Sequence, residues 1–129
     1  MRQRGTAIVI RHGKILLVRD NGRHKFSLPG GEINKGEPTV SAAARELYEE
    51  LGLHATSVRR LRECDFKGST SHDKVCQIEA SGEPHLRGHE LEKFFWWDMK
   101  TPIPAYAHVT AILKKLKNKR IDAIAPGLY

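Results

Sequence analysis

The chain has 129 residues, which leaves room for one packed core and not two, so a single domain over 1–129 is predicted. Its 40% hydrophobic content is ordinary for a soluble globular protein, and the apolar runs at 8–10 and 15–18 are strand-length and flanked by charge, which argues against a membrane span. A formal net charge of +7 favours polyanionic partners.

The N-terminal Met-Arg-Gln-Arg-Gly-Thr is basic, but the apolar stretch after it ends at Arg11. That is too short for a secretory h-region, so a cytoplasmic location is the default expectation. Residues 6–11 and 14–20 are apolar-rich runs around His12-Gly13 and predict a β-hairpin. Asn21-Gly22-Arg23-His24 reads as a polar loop, and Phe26-Ser27-Leu28 leads into Pro29-Gly30-Gly31. A helix is predicted over 38–51. Strand-like residues follow at 56–66, then a turn or loop at Gly68-Ser69-Thr70-Ser71 and a strand at 75–80. Ser81-Gly82-Glu83-Pro84 breaks that strand, and Phe94-Phe95-Trp96-Trp97 predicts an aromatic one. After Pro102 and Pro104, a second helix is predicted over 105–119, with Val109, Ile112, Leu113 and Leu116 on one side. Residues 121–129, which contain Pro126-Gly127, read as an irregular tail. A mixed sheet with helices on both faces accounts for these elements.

The first helix carries the chemistry. Glu46, Glu49 and Glu50 stand at i, i+3 and i+4, so they share one face. Val40, Ala44, Leu47 and Leu51 form an apolar stripe roughly opposite. Arg45 is four residues before Glu49, close enough to fix its rotamer and offset charge. Pro38 suits a first helical position and Gly52 a left-handed end. No Lys lies between Glu37 and Leu53, so Arg45 is the only cation there. Carboxylates so crowded repel each other unless a positive charge sits among them, and a hard divalent cation is the economical one. A solvated acidic face is the alternative meaning of such a charge run.

The spacing is Gly31, five residues, Glu37, seven residues, Arg45-Glu46, apolar Leu47, one residue, Glu49-Glu50, one residue, Gly52, apolar Leu53. This segment resembles the Nudix box at every position, a coincidence expected in fewer than about one in a hundred million random windows. The resemblance implies an α/β/α sandwich with a mixed β-sheet between helices. It also implies hydrolysis of a nucleoside diphosphate linked to another group X, with Mg²⁺ as cofactor and Mn²⁺ as a substitute. Carried over by position, Glu49 and Glu50 look like the main metal ligands. Glu46 looks like a third ligand or the base, and the Gly30 carbonyl like a further ligand. Arg45 joins Glu46 and Glu49 in the catalytic set, while its charge pairing with Glu37 looks structural. Gly31 and Gly52 look like backbone-geometry residues.

Outside the box the candidates have two readings each. Glu90 and Glu92 precede the aromatic strand, where some Nudix proteins add a glutamate; surface charge is the other reading. Arg19 and Arg23 could reach substrate phosphates or lie exposed. Phe26 could stack on a base or fill the core, and Tyr106 is a candidate substrate contact. Cys64 and Cys76 lack zinc-type spacing, and Pro84 and Gly88 argue against a helix aligning His85 with His89.

Subgroup markers that the family carries after the box, a proline for ADP-ribose hydrolases or a tyrosine for dinucleoside polyphosphate hydrolases, are missing from Lys67-Gly68-Ser69-Thr70-Ser71. The implied partner is a nucleotide, with a (d)NTP or oxidised dNTP pyrophosphohydrolase of the MutT type as the leading expectation. An ADP-ribose or nucleotide-sugar pyrophosphatase is the runner-up. An RNA 5′ end is a minor alternative, since the cluster Lys114, Lys115, Lys117, Lys119 and Arg120 reads most simply as a solvated helix face. A non-catalytic nucleotide sensor is the alternative of a different class, and the intact box argues against it. Either a monomer or a homodimer is compatible with these expectations.

Overall fold

The structure is a computed structural model that describes the backbone of residues 1–128 and the side chains of residues 1–119. Strands β1 (Arg2–Ile8), β2 (Ile10–Arg11), β3 (Lys14–Asp20) and β4 (Gly30–Glu32) precede helix α1 (Thr39–Leu51). Then come β5 (His54–Arg60), a 3₁₀ turn (Arg62–Cys64), β6 (Phe66–Lys67), β7 (Ser71–Ser81), β8 (Leu91–Trp97) and α2 (Ala107–Leu128). One sheet runs β4-β1-β7-β5, with β6 also on β7; the other runs β2-β3-β8. Among the named strands of the described residues, only β1 and β7 pair in parallel. Among the described residues no helix is long and apolar enough to cross a membrane.

Strand alternation shows how the layers stack. Ile15 and Leu17 of β3 enter the core beneath α2 with Val109, Ile112 and Leu116. Leu16 and Val18, one residue out of phase, enter the core beneath α1 with Ala43, Leu47 and Leu51. The sheet layer is therefore buried on both faces, the α/β/α arrangement that was expected.

The predicted hairpin is cut short. His12 (φ 51°) and Gly13 (φ 74°) make a tight turn with positive φ at both central residues, but only Ile10 and Arg11 pair back onto β3. Residues 2–8 leave for the other sheet, where β7 offers a seven-residue parallel partner. The strand-like stretch 56–66 divides into β5 and the 3₁₀ turn, and the 75–80 strand extends to Ser71–Ser81. Helix α2 runs on to Leu128, so the tail is helical rather than irregular, and Pro126-Gly127 lies within its last turn.

Helix α1 starts one residue later than predicted. Pro38 is extended (φ −63°, ψ 145°) and flanks the helix, while Gly52 ends it in the left-handed region at φ 70°. The buried set is Ala42, Ala43, Leu47, Glu50 and Leu51, so the apolar stripe is rotated from the predicted one and carries a carboxylate with it.

Candidate functional site

Because α1 packs against β1 and β4, its Glu46 and Glu50 open into a cleft of about 760 Å³. Gly30 and Gly31 form part of its wall, and Glu90, Arg2, Arg4, Tyr106 and His108 line other parts. Glu46, Glu50 and Glu90 each offer a carboxylate oxygen, and these oxygens all lie within 4.8 Å of one another. Glu90 arrives from the segment before β8, which Asn21 pins to the end of β3. The Asn21 backbone N–H donates to the Glu90 carbonyl (2.8 Å), and its side-chain amide donates to that of His89 (2.6 Å).

Glu50 is the deepest of the three, at 6% exposure. Burial, then the Glu46 charge, pushes its carboxyl up to about 8, although the Gly30 N–H donates to its Oε1 at 3.3 Å. Burial also raises Glu46 above the usual carboxylate range, against the bond it accepts from Arg45. A buried carboxylate this reluctant to ionise, beside two more, is the donor set that a hard divalent cation satisfies. The residues present therefore fit Mg²⁺ or Mn²⁺.

Arg45 ties the arrangement together. Its Nε and Nη2 donate to the two carboxylate oxygens of Glu37 (2.8 and 3.0 Å), and Nη1 donates to Glu46 (2.9 Å) and Glu49 (3.2 Å). Nη2 also reaches the Glu32 carbonyl at 3.0 Å. The Arg45 guanidinium, then the Asn34 N–H, lowers Glu37 to about 2, so this staple between loop and helix is ionised throughout the working range. Glu49, 54% exposed, is held on the solvent side of the same face, apart from the group formed by Glu46, Glu50 and Glu90.

A side chain at Gly31 would run into the Glu46 carboxylate, and one at Gly52 into the His85 ring. Gly31→Ala should therefore displace Glu46 rather than unfold the strand. The expected result is a kcat/KM loss of roughly 10–100-fold, with the melting temperature nearly unchanged. Equal activity in steady-state assays would sink the reading of Gly31 as the space Glu46 occupies.

The other candidates separate. Glu90 and Tyr106 line the cleft, and the Tyr106 and His108 rings lie nearly parallel, 6.1 Å apart. Arg19 instead faces Glu92 (3.5 Å) and covers the Phe26 ring, while Phe26 packs on Phe95 at 5.0 Å in the core beneath α2. Neither these three nor the exposed Arg23 lines the cleft.

Sequence reasoning passed over Arg4, Asp73 and His108. His108 is partly covered: the Leu28 N–H donates to its Nε2 (3.3 Å), which assigns the proton to Nδ1, and burial lowers the imidazole below the usual histidine range. The only signal for Arg4 is the alternation Arg2, Arg4, Thr6; Asp73 becomes meaningful once β1 and β7 are paired.

A family model described as "NUDIX domain" matches residues 1–116. An RNA pyrophosphohydrolase of Photorhabdus laumondii is 46% identical over 57 residues, which are 44% of this chain and 32% of that protein. The match thus spans about a third of that relative's length. A nudix hydrolase family member from Chromobacterium violaceum superposes with a TM-score of 0.80 at 27% identity, over 93% of this chain and 79% of that one. A MutT NUDIX hydrolase from Burkholderia pseudomallei superposes with a TM-score of 0.77 at 26% identity, over 88% and 96%.

Proposed function

The chain belongs to the NUDIX family, and from that membership we propose that it hydrolyses a nucleoside diphosphate linked to X in a Mg²⁺-dependent reaction. In this reading it acts as a nucleoside triphosphate pyrophosphohydrolase that releases a nucleoside monophosphate and pyrophosphate. The observation that carries the proposal is the group Glu46, Glu50 and Glu90, with oxygens within 4.8 Å, beside a polar cleft large enough for a nucleotide.

Glu50, Glu46 and Glu90 would hold the divalent ion, with the Gly30 carbonyl as a further ligand; Glu49, expected from the sequence as a main ligand, is bonded to Arg45 and lies apart from them. When bound, the ion supplies charge neutralisation at the phosphate oxygens and acidifies water. Arg45 keeps Glu46 in its rotamer through the 2.9 Å bond to one oxygen, which leaves the other for the ion. Tyr106 and His108 give the nucleoside end a flat contact surface.

Incubation with Mg²⁺ and a panel of dNTPs, oxidised dNTPs, ADP-ribose, nucleotide sugars and 5′-triphosphorylated RNA tests the reading. Monophosphate plus pyrophosphate from a triphosphate supports it, whereas cleavage of ADP-ribose alone overturns it. Metal-dependent turnover of any member also separates an enzyme from a nucleotide sensor. An RNA 5′ end is the second reading, favoured by the 46% identity to an RNA pyrophosphohydrolase over 57 residues. It shares the same triphosphate chemistry.

Glu50 also links stability to pH. Its carboxyl rises from 4.5 in the unfolded chain to about 8 in the fold, so the folded state binds the proton more tightly. That contribution is complete below pH 4.5 and is lost as pH rises through 8, for a total of a few kcal/mol. The metal-free protein should melt at a lower temperature at pH 8.5 than at pH 6, and Mg²⁺ should raise the melting temperature more at the higher pH. Calorimetry with chelator and with Mg²⁺ reads both; a Mg²⁺ effect independent of pH would remove Glu50 from the ligand set.

A further inference from the structure

The acidic group accounts for one wall of the cleft and leaves β1 unexplained. Strand periodicity puts Arg2, Arg4 and Thr6 on one face of β1 and Gln3, Gly5 and Ala7 on the other. Ala7 packs in the layer beneath α1 with Ala43 and Leu47, so the arginine face looks away from that helix. Arg2 and Arg4 both line the cleft, and among its described lining residues they are the only Lys or Arg. A triphosphate chain carries more negative charge than a divalent ion alone offsets, and these are the fixed cations available to it.

Arg4 is held in place. In the parallel register it lies directly opposite Asp73 of β7. Asp73 is 1% exposed, and its Oδ1 accepts from Arg4 Nη1 (2.8 Å) and from the Thr6 hydroxyl (2.8 Å). A carboxylate buried between strands needs such a partner, and the bond holds the guanidinium by one of its nitrogens. The bond to Asp73 uses Nη1, so Nε and Nη2 keep donors for another acceptor. Arg4 is also close enough to the acidic group to favour ionisation of Glu50.

We propose that Arg4, oriented by Asp73 and Thr6 and assisted by Arg2 on the same strand face, is a ligand for the γ-phosphate, which lies beyond the scissile α–β bond and which a sugar-capped diphosphate lacks. It thereby selects a nucleoside 5′-triphosphate over a diphosphate capped by a neutral sugar. This rests on the hydrolase reading above and names its substrate class. Hydrogen bonds from a guanidinium to a phosphate are charge-assisted and about twice as strong as those to a neutral hydroxyl. A sugar in the same place leaves the arginine donors poorly matched. Arg4 is then a substrate ligand and Asp73 a positioning residue.

The test measures binding, so it does not depend on turnover. Calorimetry with Mg²⁺ compares α,β-methylene ATP with α,β-methylene ADP, neither of which can be cut at that bond. The wild type should bind the triphosphate analogue at least about ten-fold tighter, and Arg4→Gln should erase the difference. If Arg4→Gln does not fold because Asp73 is left unpaired, Arg4→Gln combined with Asp73→Asn removes both charges and should give the same loss. In Asp73→Asn alone, KM for a triphosphate should rise several-fold with kcat within about two-fold. A purely structural pair would lower the melting temperature and leave the affinity ratio and KM intact, which overturns the proposal. Absence of turnover across the substrate panel would instead overturn the hydrolase reading, and the binding ratio is read separately from it.

Discussion

Glu50→Gln should lower turnover by about three orders of magnitude and at the same time stabilise the metal-free protein. The two effects have one cause. Glu50 is 6% exposed, and its carboxyl is pushed up to about 8 by burial and by Glu46, so ionising it costs folding energy that only a bound cation recovers. Glutamine has nearly the same shape and can still accept the Gly30 N–H now donated at 3.3 Å, but it brings no charge. The variant should bind Mg²⁺ weakly, melt higher than the wild type in chelator at pH 8, and gain little from added Mg²⁺. Turnover assays and calorimetry on one preparation decide the matter. Full activity would remove Glu50 from the metal site, and a lower melting temperature in chelator would mean that its carboxylate already has a satisfactory partner.

Arg45→Met should be the most damaging change to the fold near the site. The guanidinium bonds both oxygens of Glu37, one each of Glu46 and Glu49, and the Glu32 carbonyl. Methionine keeps the apolar stem and leaves three carboxylates together with no cation among them. Breaking a partly buried pair of this kind commonly lowers the melting temperature by on the order of 10 °C in a domain of this size. Activity should fall by at least about a hundred-fold, because Glu46 loses its fixed rotamer and the loop at Glu37 loses its tie to the helix. Arg45→Lys keeps the charge without the fork and should recover stability better than activity. Thermal melts and steady-state kinetics of the two variants read this out; a methionine variant as stable as the wild type would show that the loop is held by its backbone alone.

Much of the helix was legible because its determinants lie within one or two turns of each other. The spacing of Glu46, Glu49 and Glu50, the reach of Arg45 to Glu49 and the left-handed end at Gly52 follow from 3.6 residues per turn and the lack of a Cβ on glycine. The Arg45–Glu37 staple, suggested by resemblance, is present with bonds of 2.8 and 3.0 Å. The hairpin around His12-Gly13 was half legible: the turn is local, but β1 follows a partner some seventy residues away.

By itself the sequence determined a helix with three acids on one face and a glycine turn beside it, while the α/β/α layering came from the family resemblance. Local periodicity and turn chemistry are written in neighbouring residues. Only the tertiary structure decided which of those acids is buried, that Glu90 rather than Glu92 joins them, and that Arg19 and Phe26 belong to the packing while Arg4 faces the cleft. Those outcomes depend on which strands pair and on which side of α1 turns inward. A one-residue slip in either would reverse them, and no short window of the chain encodes the pairing.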